Sequence, residues 1–324
     1  MTVTYTKILG TGKYVPKTII SNQDLKKYVD TSDEWIYSRT GIKERHISID
    51  ESSLDLSYQA SLNAIKKANI DKDDIDLIIV ATVTSDYAFP GVSNLLQAKL
   101  GIENIMAFDI NAACSGFIYA MQIADKMIKS KSYKNALIVG VEILSRLTDW
   151  RDRNTCVLFG DGAGAMVIGQ SDKNHIKDII TGSQGDENML LYCKNPDLKS
   201  LDKNEISVQD HIHMKGNEVF KFASRIMPKT INDLIDRNNI TMDDIQYIVA
   251  HQANSRIIQK AAKELNVSMD KMYVNINNYG NTSAASVPIA IDESIEKGLI
   301  KRGDLFATVA FGGGLTWGGA LIEY

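Results

Sequence analysis

Cysteine is scarce in this chain. Its three cysteines, Cys114, Cys156 and Cys193 among 324 residues, make neither a disulfide framework nor a paired metal-ligand spacing. Long hydrophobic runs are missing too. The strongest, such as Leu77 to Val83, fall far short of a bilayer span, and the start, MTVTYTKILGTGKYVP, has no apolar stretch after a basic cluster. These absences speak against a disulfide scaffold and a helical membrane protein; the expected location is the cytoplasm. Nor does one sign of charge dominate. With 36 basic and 40 acidic residues the net charge is −4, so nothing overall attracts nucleic acid or an anionic membrane, and any basic docking site must be a local patch. Aromatics and proline are sparse, and the remainder, 44% hydrophobic and 23% charged, is ordinary for a globular protein.

A chain of this length holds one large core or two domains of ordinary size. Thr4 to Val15 reads as a strand broken by Gly10 and Gly12. Ser21 or Asn22 suits the cap of a short helix, and Thr31 to Gly41 is a polar, exposed segment. There, a Trp35 beside Arg39 fits either a sandwich for a flat heteroaromatic or an anchor for its own loop. Ser53 to Asn69 has helical spacing, Ile75 to Val83 suits a central parallel strand, and Val92 to Leu100 predicts another helix. Ala136 to Val141 is a further strand. The glycines of VLFGDGAGAMVIG do not complete a dinucleotide-binding fingerprint, and a strand follows them rather than a helix.

The centre of the chain is DINAACSGF, Asp109 to Phe117. Ile105 to Ile110 predicts a short buried strand, and from Gly116 the apolar residues Phe117, Ala120, Met121, Ala124, Met127 and Ile128 recur at helical spacing. Cys114 therefore stands where a strand stops and a helix begins. Unpaired N–H groups and the positive dipole end at that point are expected to lower its pKa and favour the thiolate.

The second half repeats the first. NIDKDDIDLIIV at Asn69 to Val80 and NITMDDIQYIVA at Asn239 to Ala250 share six identical positions at a constant offset of 170. Ala136 to Glu142 matches Leu305 to Phe311 in pattern at offset 169, and GAGAMVI resembles WGGALIE. The self-similarity predicts two related α/β halves, 1–170 and 171–324, joined by a pseudo-twofold, with the long polar stretch Ser183 to Met214 as an insertion or flap. Where the first half has Ala81 the second has His251, within HQAN, and the second copy of the Cys turn is NINNYGNTSAAS with Asn281 before its helix. Equivalent strand ends of two such halves converge on one crevice, so Cys114, His251 and Asn281 are expected to meet.

The motifs AACSGF, HQANSRII, NNYGNTSAASVP and FGGGLTWGGALI, in this order, resemble those of the β-ketoacyl-acyl carrier protein synthase III family, the initiating condensing enzymes of type II fatty acid synthesis in the thiolase-like superfamily. The resemblance runs nearly end to end. It implies a duplicated, thiolase-like α/β/α/β/α layered fold, a homodimer and a Cys-His-Asn site on Cys114, His251 and Asn281. The residue types suit that chemistry. A thiolate takes an acyl group from a thioester and stores it in reactive form. A malonyl thioester then loses CO₂ to an enolate, whose oxygen would meet neutral His251 Nε2–H and the Asn281 amide, donors of a kind worth roughly 3–4 kcal/mol each. An Asn rather than a carboxylate beside the His argues against a protease-like base. The oxyanion hole would be the N–H of Cys114 and, by resemblance, that of Gly314.

Further assignments follow from the resemblance. Trp35 and Arg153 would sandwich adenine with Arg39 and Thr40 beside them, and Gly216 and Asn254 would line the pantetheine arm of CoA. Phe89 would reach across the dimer into the partner's acyl pocket, and Leu144, Phe159 and Phe311 would shape that pocket. Arg256, Lys260 and Lys263 fall on one helix face and Lys221 and Arg225 on another. Charge alone fits either solvated faces or docking patches for an acidic acyl carrier protein. The expected substrates are a short-chain acyl-CoA and malonyl-acyl carrier protein, with CoA thioesters as substrates rather than a bound cofactor. GSQGDEN and Leu191 to Asp210 depart from the family pattern, near the wall that selects the acyl chain. His211 and His213 flank Ile212 beside Asp210, yet no further ligand lies at usable spacing, so no metal is expected. A condensing enzyme or acyltransferase of secondary metabolism would reuse the same triad. A degradative thiolase would want a second cysteine near the C-terminal glycines, and Gly312 to Gly319 has none.

Overall fold

The computed structural model describes residues 3–195 and 210–324. Two five-stranded sheets carry the architecture. The first contains β1 (Tyr5–Tyr14), β4 (Leu77–Ala81), β5 (Met106–Ile110), β6 (Asn135–Ile143) and β7 (Asp161–Ser171) in the order β1-β7-β6-β4-β5. The second contains β8 (Ile176–Ser183), β11 (Tyr247–Ala250), β12 (Met272–Tyr273), β13 (Leu305–Gly312) and β14 (Thr316–Glu323) in the order β12-β11-β13-β14-β8. Read from the β5 and β12 edges, the two orders match position by position. In each, three parallel strands are followed by two antiparallel ones.

Helices α5 (Gly116–Lys129) and α9 (Ser286–Glu296) lie between the sheets and touch both. Outside the first sheet lie α3 (Ser53–Ala68) and α4 (Val92–Leu100); outside the second lie α6 (Gly216–Asn238) and α7 (Ser255–Glu264). The five layers are thus α/β/α/β/α. With both faces covered, β4 is apolar throughout: Leu77, Ile79 and Ala81 face the central helices, Ile78 and Val80 the outer ones. The repeated segment folds alike in both copies. Asn69 and Asn239, at φ 53° and 51°, end α3 and α6 in the left-handed conformation that Asn tolerates, and each is followed by a capped turn that feeds β4 or β11.

A smaller lobe stands over the first sheet. It consists of the ribbon β2 (Ile19–Ser21) and β3 (Glu44–His46), α1 (Asn22–Leu25), α2 (Asp33–Thr40) and α8 (Ile276–Tyr279), held around Leu25, Ile36, Ile42, Val157 and Ile276. A second ribbon pairs β9 (Leu191–Tyr192) with β10 (His213–Met214). Most of the polar stretch between them, 196–209, lies outside the described residues, and with it part of the segment Ser183 to Met214 read as a flap.

Two expectations are corrected, for Gly10 and Gly12 and for β5, and two others are made specific. Gly10 and Gly12 do not break β1, which runs unbroken for ten residues with one register shift between Ile8 and Gly10. They let α3 press on it: a Cβ at Gly12 would lie 2.4 Å from Ala60 O and Ala64 N. Thr31 to Gly41, read as polar and exposed, is mostly helix α2, started by a Ser32 cap that accepts from Trp35 N–H. Ser21 caps α1, whereas Asn22 is buried and donates to Asp33 and to Ile42 O. The Cys strand β5 is an edge strand, half-buried, with Met106 exposed. Among the described residues no helix is long and apolar enough to cross a membrane.

The Gly12 contact yields a stability prediction. Gly12→Ala should lose about 1–3 kcal/mol through overpacking, whereas Gly185→Ala, with nothing within 4 Å of the new methyl, should stay within about 0.5 kcal/mol of wild type in denaturant melts.

Candidate active site

The site is built from two copies of one turn. After β5, Asn111 Oδ1 accepts the N–H of Ala113 at 3.2 Å; Ala113 has φ 45°, and a 3-10 turn, Ala113–Ser115, leads into α5. At the same offset of 170, Asn281 Oδ1 accepts the N–H of Ser283 at 2.9 Å, Ser283 has φ 47°, and Ser283–Ala285 leads into α9. Because that bond occupies its Oδ1, Asn281 keeps its amide N–H groups for the cavity. Its backbone is clamped by the other half: Asn281 N–H donates to Leu158 O at 2.8 Å, and Gly160 N–H to Asn281 O at 3.1 Å.

Each turn also rests on a strand of the opposite half. A Cβ at Gly312, which ends β13, would lie 2.6 Å from the backbone nitrogen of Cys114; one at Gly140 in β6 would lie 2.3 Å from Ala284 O. Glycine is required where main chains come this close. Thr316 secures the first contact by donating to Ala112 O, and its Oγ1 accepts from Ser115 Oγ at 2.7 Å.

Cys114 departs from the expected low pKa. Burial, with the nearby Glu142 charge, pushes its thiol up to about 12. The dipole argument fails because desolvation of a thiolate outweighs the field of a helix end. His251, directly after β11, is 1% exposed. Its N–H donates to Val309 O at 2.7 Å, its Nδ1 lies 2.5 Å from Ser286 Oγ at the head of α9, and Phe311 meets its ring edge-on at 5.3 Å. Burial lowers its pKa to about 3, so the ring is neutral at physiological pH.

One cavity of about 390 Å³ joins these groups. Cys114, His251, Asn281, Phe311 and Gly312 line its inner end; Trp35, Arg39, Thr40, Gly216, Asn254 and Arg256 line its mouth. A second, of about 900 Å³, continues beyond Cys114, lined by Leu144, Phe159, Ile212, Ser283 and Gly314 among others. Phe311 lines the first cavity, beside His251. Phe89 lines neither and is 86% exposed.

At the mouth, Arg39 and Arg153 both lie over Trp35, at 4.6 and 4.8 Å from the ring centroid. Arg153 thus occupies a face of Trp35 that a planar guest would share. Thr40 is buried and spends its hydroxyl on Ile36 O and Ile42 N–H. Asn254 caps α7 and donates to Arg39 O at 3.0 Å, holding the two sides of the mouth together. Around it Arg256, Lys260, Lys263, Lys221 and Arg225 are exposed. Arg256 lies over Phe220, while Lys260 and Lys221 pair with Glu264 and Glu218. His213 binds Asp210 and stacks on Tyr192, and the described residues contain no metal-holding cluster.

Sequence reasoning missed Ser286, Ser283 and Glu142. The first two were within reach, because the offset of 170 aligns Ser283 with Ala113 and places Ser286 at the helix head; nothing in the sequence pairs Glu142 with either.

A duplicated α/β/α/β/α fold with Cys, His and Asn on equivalent strand ends defines a thiolase-like acyl-transferring enzyme. Comparison with known proteins narrows the class. The family model described as 3-oxoacyl-[acyl-carrier-protein] synthase III matches residues 108–185, and its C-terminal companion matches residues 235–324. The β-ketoacyl-[acyl-carrier-protein] synthase III of Clostridium acetobutylicum is 51% identical over 98% of both chains. The crystal structure of the Aquifex aeolicus 3-oxoacyl-[acyl-carrier-protein] synthase III superposes with a TM-score of 0.92 at 46% identity, covering 98% of this chain and 100% of that one. A priming β-ketosynthase of a polyketide pathway superposes at 0.91 with 33% identity, over 98% and 96%. This chain belongs to the β-ketoacyl-[acyl-carrier-protein] synthase III family.

Two protonation states are testable. Alkylation of Cys114 by iodoacetamide should still be climbing above about pH 9, where an ordinary cysteine of pKa near 8.5 levels off. Imidazole ¹⁵N resonances of His251 should show one neutral tautomer from about pH 8 to pH 5, whereas an unperturbed ring titrates near 6.5.

Proposed function

We propose that this enzyme condenses a short-chain acyl-CoA, acetyl or short branched, with malonyl-acyl carrier protein, releasing CO₂ and CoA and giving a 3-ketoacyl-acyl carrier protein that starts a fatty acid. The observation that carries the reading is the convergence of Cys114, His251 and Asn281 on one cavity whose mouth is Trp35, Arg39 and Asn254. In this reading the 1–170 half brings the nucleophile and the 171–324 half brings the His and Asn.

The reaction has two stages. Cys114 Sγ attacks the acyl-CoA carbonyl, and the tetrahedral oxyanion is met by the N–H of Cys114, kept open by Gly312, and by that of Gly314. CoA lies in the tunnel with its adenine against Trp35 in place of Arg153, beside Arg39 and Thr40, and its arm passes Gly216 and Asn254. Malonyl-acyl carrier protein enters next. Ser286 donating to His251 Nδ1 leaves the ring proton on Nε2, and with the Asn281 amide it stabilises the enolate left by CO₂. A neutral His suits that role, since it donates without adding a charge that the dry site could not solvate. The enolate carbon then attacks acyl-Cys114. Both substrates arrive as activated thioesters, so the chemistry calls for no cofactor or metal.

The acyl chain extends toward Leu144 and Phe159. The enzyme acts as a homodimer, with exposed Phe89 reaching the partner's acyl pocket. Arg256, Lys260, Lys263, Lys221 and Arg225 receive the acidic carrier protein by charge complementarity. A priming role in secondary metabolism is the second reading, suggested by the polyketide neighbour; the closer identity to fatty acid relatives favours the first.

Intact-mass spectrometry after incubation with acetyl-CoA or isobutyryl-CoA should show an acyl adduct absent from Cys114→Ala, discharged as 3-ketoacyl-carrier protein when malonyl-acyl carrier protein is added. Acylation without that discharge would favour the second reading. Arg256→Glu should weaken use of the carrier protein about tenfold, by loss of electrostatic attraction, while acylation by acyl-CoA stays near wild type. Equal losses in both assays would rule out a docking role.

A further inference from the structure

Gln252, the second residue of HQAN, directly follows His251, lines neither cavity and is 1% exposed. A buried amide has two N–H donors and two acceptor lone pairs to satisfy, and here all four are used. Its Nε2 donates to Ala250 O at 2.9 Å, at the end of β11, and to Tyr273 O at 3.0 Å, at the end of β12. Its Oε1 accepts from Asn275 N–H at 3.0 Å and from Ile276 N–H at 3.2 Å. Two carbonyls on one side and two N–H groups on the other admit a single orientation of the amide. Those N–H groups belong to the start of α8, whose own cap residue, Asn275, makes no side-chain cap bond and donates instead to Glu293 of α9 at 2.6 Å. Gln252 therefore caps α8 from another segment. At the far end of that helix Gly280, at φ 65°, donates to Ile276 O at 2.9 Å and leads the chain into Asn281. One side chain thus binds both the residue before His251 and the turn that ends in Asn281. The supports of the Cys114 turn, Gly312 and Thr316, are separate from it.

We propose that Gln252 is a positioning residue for the second stage of the reaction: it fixes where His251 and Asn281 stand relative to each other and leaves the nucleophile alone. Two donors aimed at an enolate act together only while they converge on one oxygen, and a displacement of about 1 Å can cost a hundredfold in rate. Asn281 lies between α8 and α9, and His251 is tied to both. The His251 ring meets Ser286 at the head of α9, and the backbone around His251 is joined to α8 through Gln252. Asn281 is thereby bracketed from both sides. The tie needs an amide. The carbonyls of Ala250 and Tyr273 require a donor and the α8 N–H groups an acceptor, and in a buried site either set left unpaired is costly. Because Gln252 touches neither cavity, it acts on the chemistry only through the two residues it places.

This inference rests on the two-stage reading above, so the test measures the stages separately. Acetyl-CoA is added to wild type, Gln252→Met and Gln252→Glu, and growth of acetyl-Cys114 is followed by intact mass. Malonyl-acyl carrier protein is then added to the acetylated enzyme, and loss of the acetyl group and release of CO₂ are followed. Gln252→Met, similar in size but without the four hydrogen bonds, should acylate within about threefold of wild type yet discharge about a hundredfold more slowly. The half-saturating concentration of malonyl-acyl carrier protein should stay unchanged, since the lost quantity is alignment and not binding. Gln252→Glu keeps acceptors for α8 but sets a carboxylate oxygen against two carbonyls, and should show the same split between the stages. Equal slowing of both stages would overturn the proposal and leave Gln252 a residue of the fold alone. So would discharge at the wild-type rate by Gln252→Met. Wild type supplies an arm that needs no variant: the Asn275 and Ile276 amides should be protected from hydrogen exchange as strongly as those of β11, and free exchange at either would overturn the tie. A wild type that takes no acetyl group on Cys114, or keeps it when malonyl-acyl carrier protein is added, would instead overturn the reading on which the proposal rests.

Discussion

The active centre depends on main chain lying against main chain. Gly312 presses on the nitrogen of Cys114, and Gly140 presses on the carbonyl of Ala284; each contact sets a strand of one half against the turn of the other. A methyl at either glycine would stand closer than van der Waals contact allows, so the turns would have to separate. This seating places a strand end of one half beside Cys114 of the other. It also holds the turns in the left-handed conformation at Ala113 and Ser283, which costs a non-glycine residue energy that the surrounding packing has to offset.

Close seating has an electrostatic consequence. Burial resists charge at three groups: the thiol is pushed up, the imidazole down, and the Glu142 carboxyl up to about 7. For the proposed chemistry this is an advantage at His251, which has to donate rather than carry charge, and an obstacle at Cys114. Expecting a thiolate from the helix dipole misjudged the balance, because the 3-10 turn at Ala113–Ser115 leads into a helix whose start is packed between two sheets rather than open to solvent. A helix end stabilises an anion by a few tenths of a kcal/mol to about 2 kcal/mol, whereas full burial shifts a pKa by up to about 3–5 units.

Much of the architecture was legible in the residues. The offset of 170 between NIDKDDIDLIIV and NITMDDIQYIVA reappears as matched strand orders, and Asn69 and Asn239 end their helices in one conformation. The same offset brought Cys114, His251 and Asn281 to a common crevice before any coordinates. Periodicity did not show what a glycine meets. Gly10 and Gly12 look like breaks when only the chain is considered, and become packing sites once α3 lies on them. Nor did it show that β5 is an edge strand, since edge and centre differ by neighbours and not by local pattern. Nor did it show that Phe311 stands edge-on to His251, which depends on which cavity the strand end faces.

The duplication works chemically because it is imperfect. Position by position the halves share a turn, but the first copy carries Cys114 where the second has Ala284, and Ala113 where the second has Ser283. On the adjoining strands Glu142 in β6 corresponds to Phe311 in β13, and Ala81 to His251. Each difference crosses the pseudo-axis: Glu142 bonds the Ser283 hydroxyl of the opposite turn, while Phe311 packs on His251 and leads to the glycine against Cys114. A symmetric pair of carboxylates here would bury two like charges near one thiol. One carboxylate and one phenylalanine give the crevice an apolar wall beside the imidazole and a polar one beside the sulfur. Thus a fold made of two equivalent halves brings three different side chains, Cys114, His251 and Asn281, to a single cavity.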